Sequence, residues 1–206
     1  MRLPLILMAM LASLALFAPP VLAAPATWPQ IADEPAAPRL APAGFDVTII
    51  VFSDYRCPYC LRLHATLQQA AAHDRKLRIV YRDWPIFGEA SAHAAQLAIA
   101  SQYQGKYEAF NDAIFRLAGQ LDDKSLRQAA QSVGIDWARL QRDLAAHDEE
   151  IGRLMARSNV AARALGFEGT PGLLVGTQRA FGAPSLDQLE TMIREERQKG
   201  RSAGKA

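Results

Sequence analysis

The sequence has little net charge and few cysteines. Its 206 residues carry 23 lysines and arginines against 21 aspartates and glutamates, a formal net charge of +2. Because the two signs are interspersed, no strong field directs the chain to a nucleic acid or an anionic membrane, and we expect no nucleic-acid partner. The chain has only two cysteines. This number excludes both a framework of several disulfides and a zinc site built from two cysteine pairs.

The two cysteines, Cys57 and Cys60, are separated by only two residues. A disulfide stabilises a protein mainly by closing a long loop, so a bridge across so short a span would constrain very little. The pair is therefore predicted to serve chemistry rather than stability.

Residues 1–23 have the features of a cleaved signal peptide. Arg2 supplies positive charge, residues 3–17 form an apolar run, and Val21-Leu22-Ala23 fits the small-residue rule for cleavage. An uncleaved anchor is the alternative, but the run is shorter than the ~20 residues that span a bilayer, and Pro19-Pro20 interrupts it. We therefore predict export, with the periplasm as the destination.

Half of the residues are apolar, which is enough for one globular domain of this length, placed at residues 45–199. Residues 24–44 contain five prolines and no apolar period. They are predicted to be a Pro/Ala-rich tether that does not pack. Residues 200–206 are predicted to be a flexible, solvated tail.

Alternating strand and helix patterns predict the α/β class. Residues 46–53 are almost continuously apolar and β-branched, which is typical of a strand covered on both faces. Residues 77–84 predict a second strand. Between these strands a helix begins at the cysteine motif, and one apolar stripe on it is formed by Cys60, Leu63, Leu67 and Ala70.

After the second strand, the apolar periodicity predicts a helical bundle over about residues 90–166. Its last two helices are predicted separately, from the apolar stripes within residues 137–144 and 151–165. Two short strands and a final helix follow. The final helix is predicted to begin at a capping box formed by Ser185 and Gln188.

The position of Cys57 between a strand and a helix favours its thiolate form. Unpaired N–H groups and the positive end of the helix dipole both lie there, and cysteines so placed have a lowered pKa. Cys60 lies on the apolar stripe and should be less accessible. We therefore predict that Cys57 is the nucleophile that exchanges disulfides with a client, and that Cys60 is the resolving cysteine.

Several motifs in one order resemble the DsbA-like branch of the thioredoxin superfamily. They are Phe52-Ser-Asp-Tyr-Arg-Cys-Pro-Tyr-Cys60, Tyr81-Arg-Asp-Trp-Pro-Ile86, the long helical insertion and Gly169-Thr-Pro-Gly172. The likeness covers about residues 46–197. It implies a thioredoxin-like fold with an inserted helical bundle, and protein thiol–disulfide oxidoreductase activity without a cofactor.

The resemblance also implies how substrate is held. The pair Thr170-Pro171 is expected to have a cis peptide bond beside the cysteines, with the backbone of Thr170 pairing with a client peptide. Pro58 and Tyr59 of the motif are the other expected substrate-binding residues. The implied partners are client proteins with cysteines and a membrane redox partner of the DsbB type.

Two departures from the family pattern bear on the chemistry. Strong oxidants of the family commonly have histidine where this chain has Tyr59, and a phenol offers no imidazolium to the thiolate. We therefore expect a less acidic Cys57 and a less oxidising disulfide than in those members. The strand before the motif also lacks the buried acid of many relatives, and Asp54 is the nearest candidate.

Three functions are compatible with the sequence. A disulfide-forming oxidase is the leading interpretation, and a reductase or isomerase of the same fold, favoured by Tyr59, is the alternative. The third is a copper- or zinc-binding module that uses Cys57, Cys60 and His64. It is disfavoured because the fourth ligand of a closed zinc site is missing, so we expect no native metal.

Overall fold

The computed structural model describes residues 27–203, so the predicted signal peptide lies outside the described residues. Five strands form one mixed sheet in the order β1-β3-β2-β4-β5. The strands are β1 (Arg39–Leu40), β2 (Val47–Ser53), β3 (Leu77–Asp83), β4 (Gly172–Val175) and β5 (Gln178–Phe181). The helices are α1 (Trp28–Ala32), α2 (Pro58–His73), α3 (Glu89–Ala100), α4 (Tyr107–Arg116), α5 (Asp123–Ser132), α6 (Trp137–Ala164) and α7 (Leu186–Ala203), with a 3-10 turn at Ser101–Gln104.

The central strand β2 is buried on both faces, as its apolar sequence predicts. It pairs in parallel with β3 and antiparallel with β4. Val51 borders a small cavity beside α2. Phe52, whose side chain points to the opposite face, packs against Trp84 and Phe167 at ring distances of 6.4 and 5.6 Å. The carboxyl end of this rigid strand delivers the chain to the cysteine motif.

The helix α2 packs its predicted apolar stripe into the core. The four residues of the stripe, Cys60, Leu63, Leu67 and Ala70, are all buried. Pro58 occupies the first turn of α2, where its missing N–H group would have no helical partner in any case. The first turn of α2 is thus fixed at one end of β2, with Cys57 as its N-cap.

The inserted helical bundle lies between β3 and β4, and this predicted architecture is confirmed. The prediction of two separate helices at residues 137–144 and 151–165 is wrong, because α6 is continuous over 28 residues. Residues 145–150 are mostly exposed and contain neither glycine nor proline. The apolar stripe is interrupted there because this part of the helix faces solvent, and good helix formers keep it intact.

The prediction of an unpacked tether at residues 24–44 is also wrong for the part that the structure describes, residues 27–44. Ile31 in α1 is buried, and β1 pairs antiparallel with β3 through Arg39–Val80 and Leu40–Ile79. The prolines of this segment led to the prediction of an unpacked tether, although a proline is well tolerated in the first turn of a helix such as α1. The segment covers an edge of β3 that would otherwise be left unpaired.

The carboxyl-terminal helix starts as predicted and ends later. Ser185 N–H donates to Gln188 Oε1 at 2.8 Å and Gln188 N–H to Ser185 Oγ at 3.3 Å, which is the predicted capping box. The helix continues to Ala203, beyond the predicted start of the tail at residue 200, because one glycine at Gly200 costs a helix only ~1 kcal/mol. Within residues 27–203, no helix is both long and apolar enough to span a membrane.

Candidate active site

Cys57 and Cys60 lie together at the amino-terminal end of α2. Cys57 is the N-cap with an extended backbone, φ −80° and ψ 117°, and Cys60 is in the first turn. The two cysteines approach to 3.4 Å and are not joined by a disulfide. The pair is therefore a dithiol whose sulfurs are close enough to bond after a small movement.

The surroundings of Cys57 stabilise its thiolate. A hydrogen bond from the Cys60 thiol is the largest influence, and it outweighs the opposing effect of burial. Interactions with Thr170 and with the N–H groups of Cys60 and Tyr59 add to it, and together they lower the pKa of Cys57 to about 5. Since α2 begins here, its dipole acts in the same direction. The predicted low pKa of Cys57 thus has a specific local cause.

Cys60 behaves in the opposite way. Its side chain is buried, and desolvation followed by the neighbouring Cys57 sulfur raises its pKa far above the ordinary range. Exposure distinguishes the two cysteines only slightly, since Cys57 is 3% exposed and Cys60 is 1% exposed. The difference between them is therefore mainly electrostatic, and it leaves one thiolate and one thiol at neutral pH.

The Thr170-Pro171 peptide bond is cis, as the resemblance implies, and lies beside Cys57. The Cys57 thiol donates to the carbonyl oxygen of Thr170 at 3.2 Å. The hydroxyl Oγ1 of Thr170 is buried and has no hydrogen-bond partner among the described residues. Once Cys57 loses its proton, this hydroxyl is a donor available to the thiolate.

The carboxylate of Asp54 binds two loops together. It accepts four hydrogen bonds of 2.7 to 2.9 Å. The donors are the N–H groups of Arg56, Ile86 and Phe87 and the hydroxyl of Ser91. The backbone N–H of Asp54, and not its carboxylate, points towards Cys60 and donates to the sulfur at 3.5 Å. The nearest acid to the motif therefore holds the loops in place.

Three exposed aromatic side chains belong to the segments that adjoin the cysteine motif and the cis bond. Tyr59 and Phe87 are exposed, and Phe181 is 67% exposed. Phe87 belongs to the loop fixed by Asp54. Phe181 pairs with the residue after Pro171 in the sheet, so it lies next to the cis bond. This surface is suited to an unfolded, partly apolar polypeptide.

Arg62 is an active-site neighbour that the sequence prediction missed. Its guanidinium lies 4.1 Å from the centre of the Tyr59 ring, within range of a cation–π interaction. The third position of the motif thus carries an aromatic ring with a cation over it. A spacing of three residues on a helix was the available signal.

A buried acid is present, on a strand other than the one where the family pattern would place it. Asp83, at the end of β3, is paired in register with Ser53 of β2. Its Oδ2 accepts from the hydroxyl of Tyr107 at 2.9 Å. Burial is the main cause that raises the pKa of Asp83 to about 7.

His64 lies one turn beyond Cys60 and is buried. Its Nε2 is 3.3 Å from Oδ1 of Asp112 on α4, and its ring stacks on Phe115 at 4.6 Å. Among residues 27–203, no three histidine, cysteine, aspartate or glutamate side chains are grouped to hold a metal ion.

A dithiol at the amino-terminal end of a helix, next to a cis-proline loop on a mixed sheet, defines a thiol–disulfide oxidoreductase of the thioredoxin type. The model of the DSBA-like thioredoxin domain matches residues 48–194. The chain belongs to this family, and it is a protein thiol–disulfide oxidoreductase.

Solved structures agree with this assignment. A thioredoxin-like oxidoreductase from Silicibacter pomeroyi DSS-3 is 38% identical with a TM-score of 0.79, over 84% of this chain and 99% of that one. The thiol-disulfide exchange protein alpha-DsbA2 from Wolbachia pipientis is 27% identical with a TM-score of 0.77, over 82% and 91%. A periplasmic thioredoxin-like protein from Salmonella enterica serovar Typhimurium is 27% identical with a TM-score of 0.72, over 79% and 91%.

Curated relatives match at lower identity and are much longer. The Na(+)/H(+) antiporter NhaA 3 of Salinispora tropica is 25% identical over 166 residues, which cover 78% of this chain and 24% of the antiporter. The chain therefore spans about a quarter of the length of the curated relatives that it matches.

Proposed function

We propose that this protein is an exported oxidase that introduces disulfides into client proteins. The observation that carries the proposal is the placement of Cys57 as the N-cap of α2, where the Cys60 thiol and nearby N–H groups lower its pKa to about 5. Stabilising the thiolate stabilises the reduced pair relative to its disulfide, which makes the disulfide a stronger oxidant. A pKa of about 5 lies between the ~3.5 of a strong oxidant and the ~7 of thioredoxin, in keeping with Tyr59 at the third position of the motif.

The catalytic cycle starts from the disulfide of Cys57 and Cys60. A client thiolate attacks Cys57 Sγ, the Cys57–Cys60 bond breaks, and Cys60 leaves with the electron pair and takes up a proton. The second client thiolate then attacks the client sulfur of the mixed disulfide and releases Cys57 as a stable thiolate. The client loses two electrons and the cysteine pair gains them. A membrane partner of the DsbB type completes the cycle by re-oxidising the pair.

Client recognition rests on backbone pairing and apolar contact. Thr170 presents its carbonyl oxygen next to Cys57, in a position to meet a client strand beside the reacting sulfur. The exposed Pro58 and Tyr59 form the rest of the surface around that sulfur, the exposed Phe181 extends it, and the buried Pro171 holds the backbone of Thr170 beside it. Side chains exposed in unfolded clients would be covered there, which favours clients that have not finished folding.

Export to the periplasm follows from residues 1–23 and agrees with the periplasmic relative from Salmonella. A cysteine pair whose disulfide is oxidising can be kept oxidised in that compartment, whereas cytosolic reductants would hold it as a dithiol.

A reductase or isomerase is the second candidate, favoured by Tyr59. The two directions are separated by the redox state of Cys57 and Cys60 in cells, trapped with acid and alkylated. An oxidised pair, together with rapid oxidation of a reduced model protein in vitro, supports the oxidase. A reduced pair that rearranges scrambled disulfides supports the isomerase. C57S is the control, and undiminished oxidation by C57S would refute the assignment of the nucleophile.

A further inference from the structure

The resolving cysteine needs a group that takes its proton. The Cys60 thiol is 1% exposed, and burial raises its pKa far above neutrality, so water has little access to it. Its attack on Cys57 nevertheless requires the thiolate. The carboxylate of Asp54 already accepts four hydrogen bonds and only its N–H faces the sulfur. Asp54 is therefore poorly placed to act as the base.

His64 is placed for this task. It follows Cys60 by four residues on α2, and side chains at this spacing are neighbours on a helix, about 5–6 Å apart at Cβ. Helical side chains lean towards the preceding turn, so the imidazole of His64 leans towards Cys60. Both residues border one small cavity of about 10 Å³, which has room for a single water molecule at most.

The hydrogen bond to Asp112 sets the tautomer of His64. Burial alone would raise the pKa of Asp112, but hydrogen bonds from Gln68, His64 and Arg116 together lower it, so Asp112 is an anion and only accepts. Nε2 of His64, at 3.3 Å from Asp112, therefore carries the hydrogen of the neutral ring. Nδ1 is left with the lone pair that can accept a proton.

The groups packed around His64 keep its ring neutral at rest. Burial is the main influence and lowers the pKa of His64. The neighbouring Asp112 raises this pKa, and the charge of Arg116 lowers it further. From α4, Phe115 contributes an apolar ring. From β3, Tyr81 borders the cavity, and burial raises its pKa so that the phenol stays neutral. A neutral imidazole is the form that can accept a proton from a thiol.

We propose that His64, oriented by Asp112, is the proton acceptor for Cys60. When Cys60 resolves a mixed disulfide, its proton passes to His64, directly or through one water. In the proposed cycle this mixed disulfide is the one with the re-oxidising membrane partner. The Cys60 sulfur bonds to Cys57 Sγ, the bond from Cys57 to the partner breaks, and the partner's thiolate leaves with the electron pair. The cysteine pair is thereby oxidised and the partner is reduced. When a client thiolate opens the disulfide, Cys60 leaves as a thiolate and takes up a proton that comes from solvent through His64, whose imidazole is neutral again afterwards. This inference rests on the proposed function and identifies the group that moves its proton.

Asp83 is the competing candidate, because it is also a buried group that titrates near neutral pH. Its hydrogen bond goes to Tyr107, and it is not among the residues that border the cavity shared by Cys60 and His64. A D83N variant is therefore the matched control for a variant of His64.

The test separates the two sulfurs by reacting the reduced protein with an aromatic disulfide that releases a coloured thiolate. The first release reports the attack of Cys57, and the second reports the attack of Cys60 on the resulting mixed disulfide. H64Q keeps an N–H that can reach Asp112 but cannot take up a proton. We expect the second release in H64Q to slow by ~100-fold at neutral pH, in the range of general-base catalysis. It should also become dependent on hydroxide, while the first release is unchanged.

D112N should slow the second release by a smaller factor, and D83N should leave its pH profile unaltered. An unchanged second release in H64Q would overturn the proposal. So would equal slowing of both releases, or a change in the pH profile in D83N alone. If the unaltered protein showed no first release, the proposed function itself would fail, which is a different result from failure at the second release alone.

Discussion

The pKa of Cys57 should rise when Cys60 is replaced by alanine, because the hydrogen bond from the Cys60 thiol is the largest influence that lowers it. A hydrogen bond to a charged group is worth about 1.5–3 kcal/mol, and one pKa unit corresponds to about 1.4 kcal/mol. Its loss in C60A should therefore raise the pKa of Cys57 by about 1 to 2 units from its value of about 5.

The ultraviolet absorbance of the thiolate, followed as a function of pH, measures this shift in C60A. The rate of alkylation by iodoacetamide at each pH is an independent check, since only the thiolate reacts. The wild-type protein must be measured in its reduced state. A pKa of Cys57 that is the same in C60A and wild type would refute the reasoning, because the stabilisation would then come from the helix and Thr170 alone.

The contribution of Thr170 is tested by the isosteric change T170V. It removes the buried hydroxyl that has no partner in the dithiol form, so the pKa of Cys57 should rise by less than in C60A. T66V is the matched control, because the hydroxyl of Thr66 donates to the Arg62 carbonyl on the exposed side of α2. An equal rise in T66V and T170V would show that the effect does not come from the hydroxyl at the cis bond.

Three further predictions concern stability, each measured by denaturant unfolding. First, the reduced protein should gain stability relative to the oxidised protein as pH rises from about 5 to 9. The folded pKa of Cys57 is about 5 against an ordinary 9.0, so the thiolate stabilises the fold at high pH and this stabilisation is lost as pH falls through the folded pKa. Parallel curves of stability against pH for the two forms would contradict this. Second, the pKa of Asp83 is raised from 3.8 to about 7. The free energy of unfolding of wild type should therefore fall by up to about 4 kcal/mol relative to that of D83N as pH rises from 3.8 to about 7, and should fall no further above that range. A difference in unfolding free energy that does not change with pH would exclude the shift. Third, a Cβ at Gly172 would lie 2.7 Å from the buried ring of Phe167, so G172A should lower the free energy of unfolding by about 1–3 kcal/mol. G169A is the control and should lower it little, because the space around the added carbon is open. Equal losses of stability in the two variants would refute the clash.

Most of the fold could be predicted from apolar periodicity. The strands β2 and β3, the buried stripe of α2 and the capping box at Ser185 follow from spacing alone, because each reflects a local preference for burial or capping. The N-terminal segment could not be predicted in this way. Its elements have two and five residues, too short for a period, and they depend on tertiary contacts, which are the pairing of β1 with the edge of β3 and the burial of Ile31 of α1.

The electrostatics of the site could be predicted in part. The position of Cys57 at the start of a helix indicated a low pKa. The strand before the motif has no acid where many relatives have one, so the sequence did not identify the group that accepts the proton of Cys60. The candidate acceptor pair is invisible in the sequence, because Asp112 is 48 residues from His64. Asp83 is likewise an ordinary acid in the sequence, and only the packing around it raises its pKa.

The sequence by itself determined which atoms can react, since it contains one cysteine pair and places it where a buried strand meets a helix. Tertiary structure alone decided how those atoms differ. Two thiols of the same chemistry become a thiolate and a thiol because burial and hydrogen-bond donors are distributed unequally around them. Cys60 owes its burial to the packing of α2 in the core, and Thr170, which helps to lower the pKa of Cys57, is 113 residues away from it in the chain, so only folding brings these groups together.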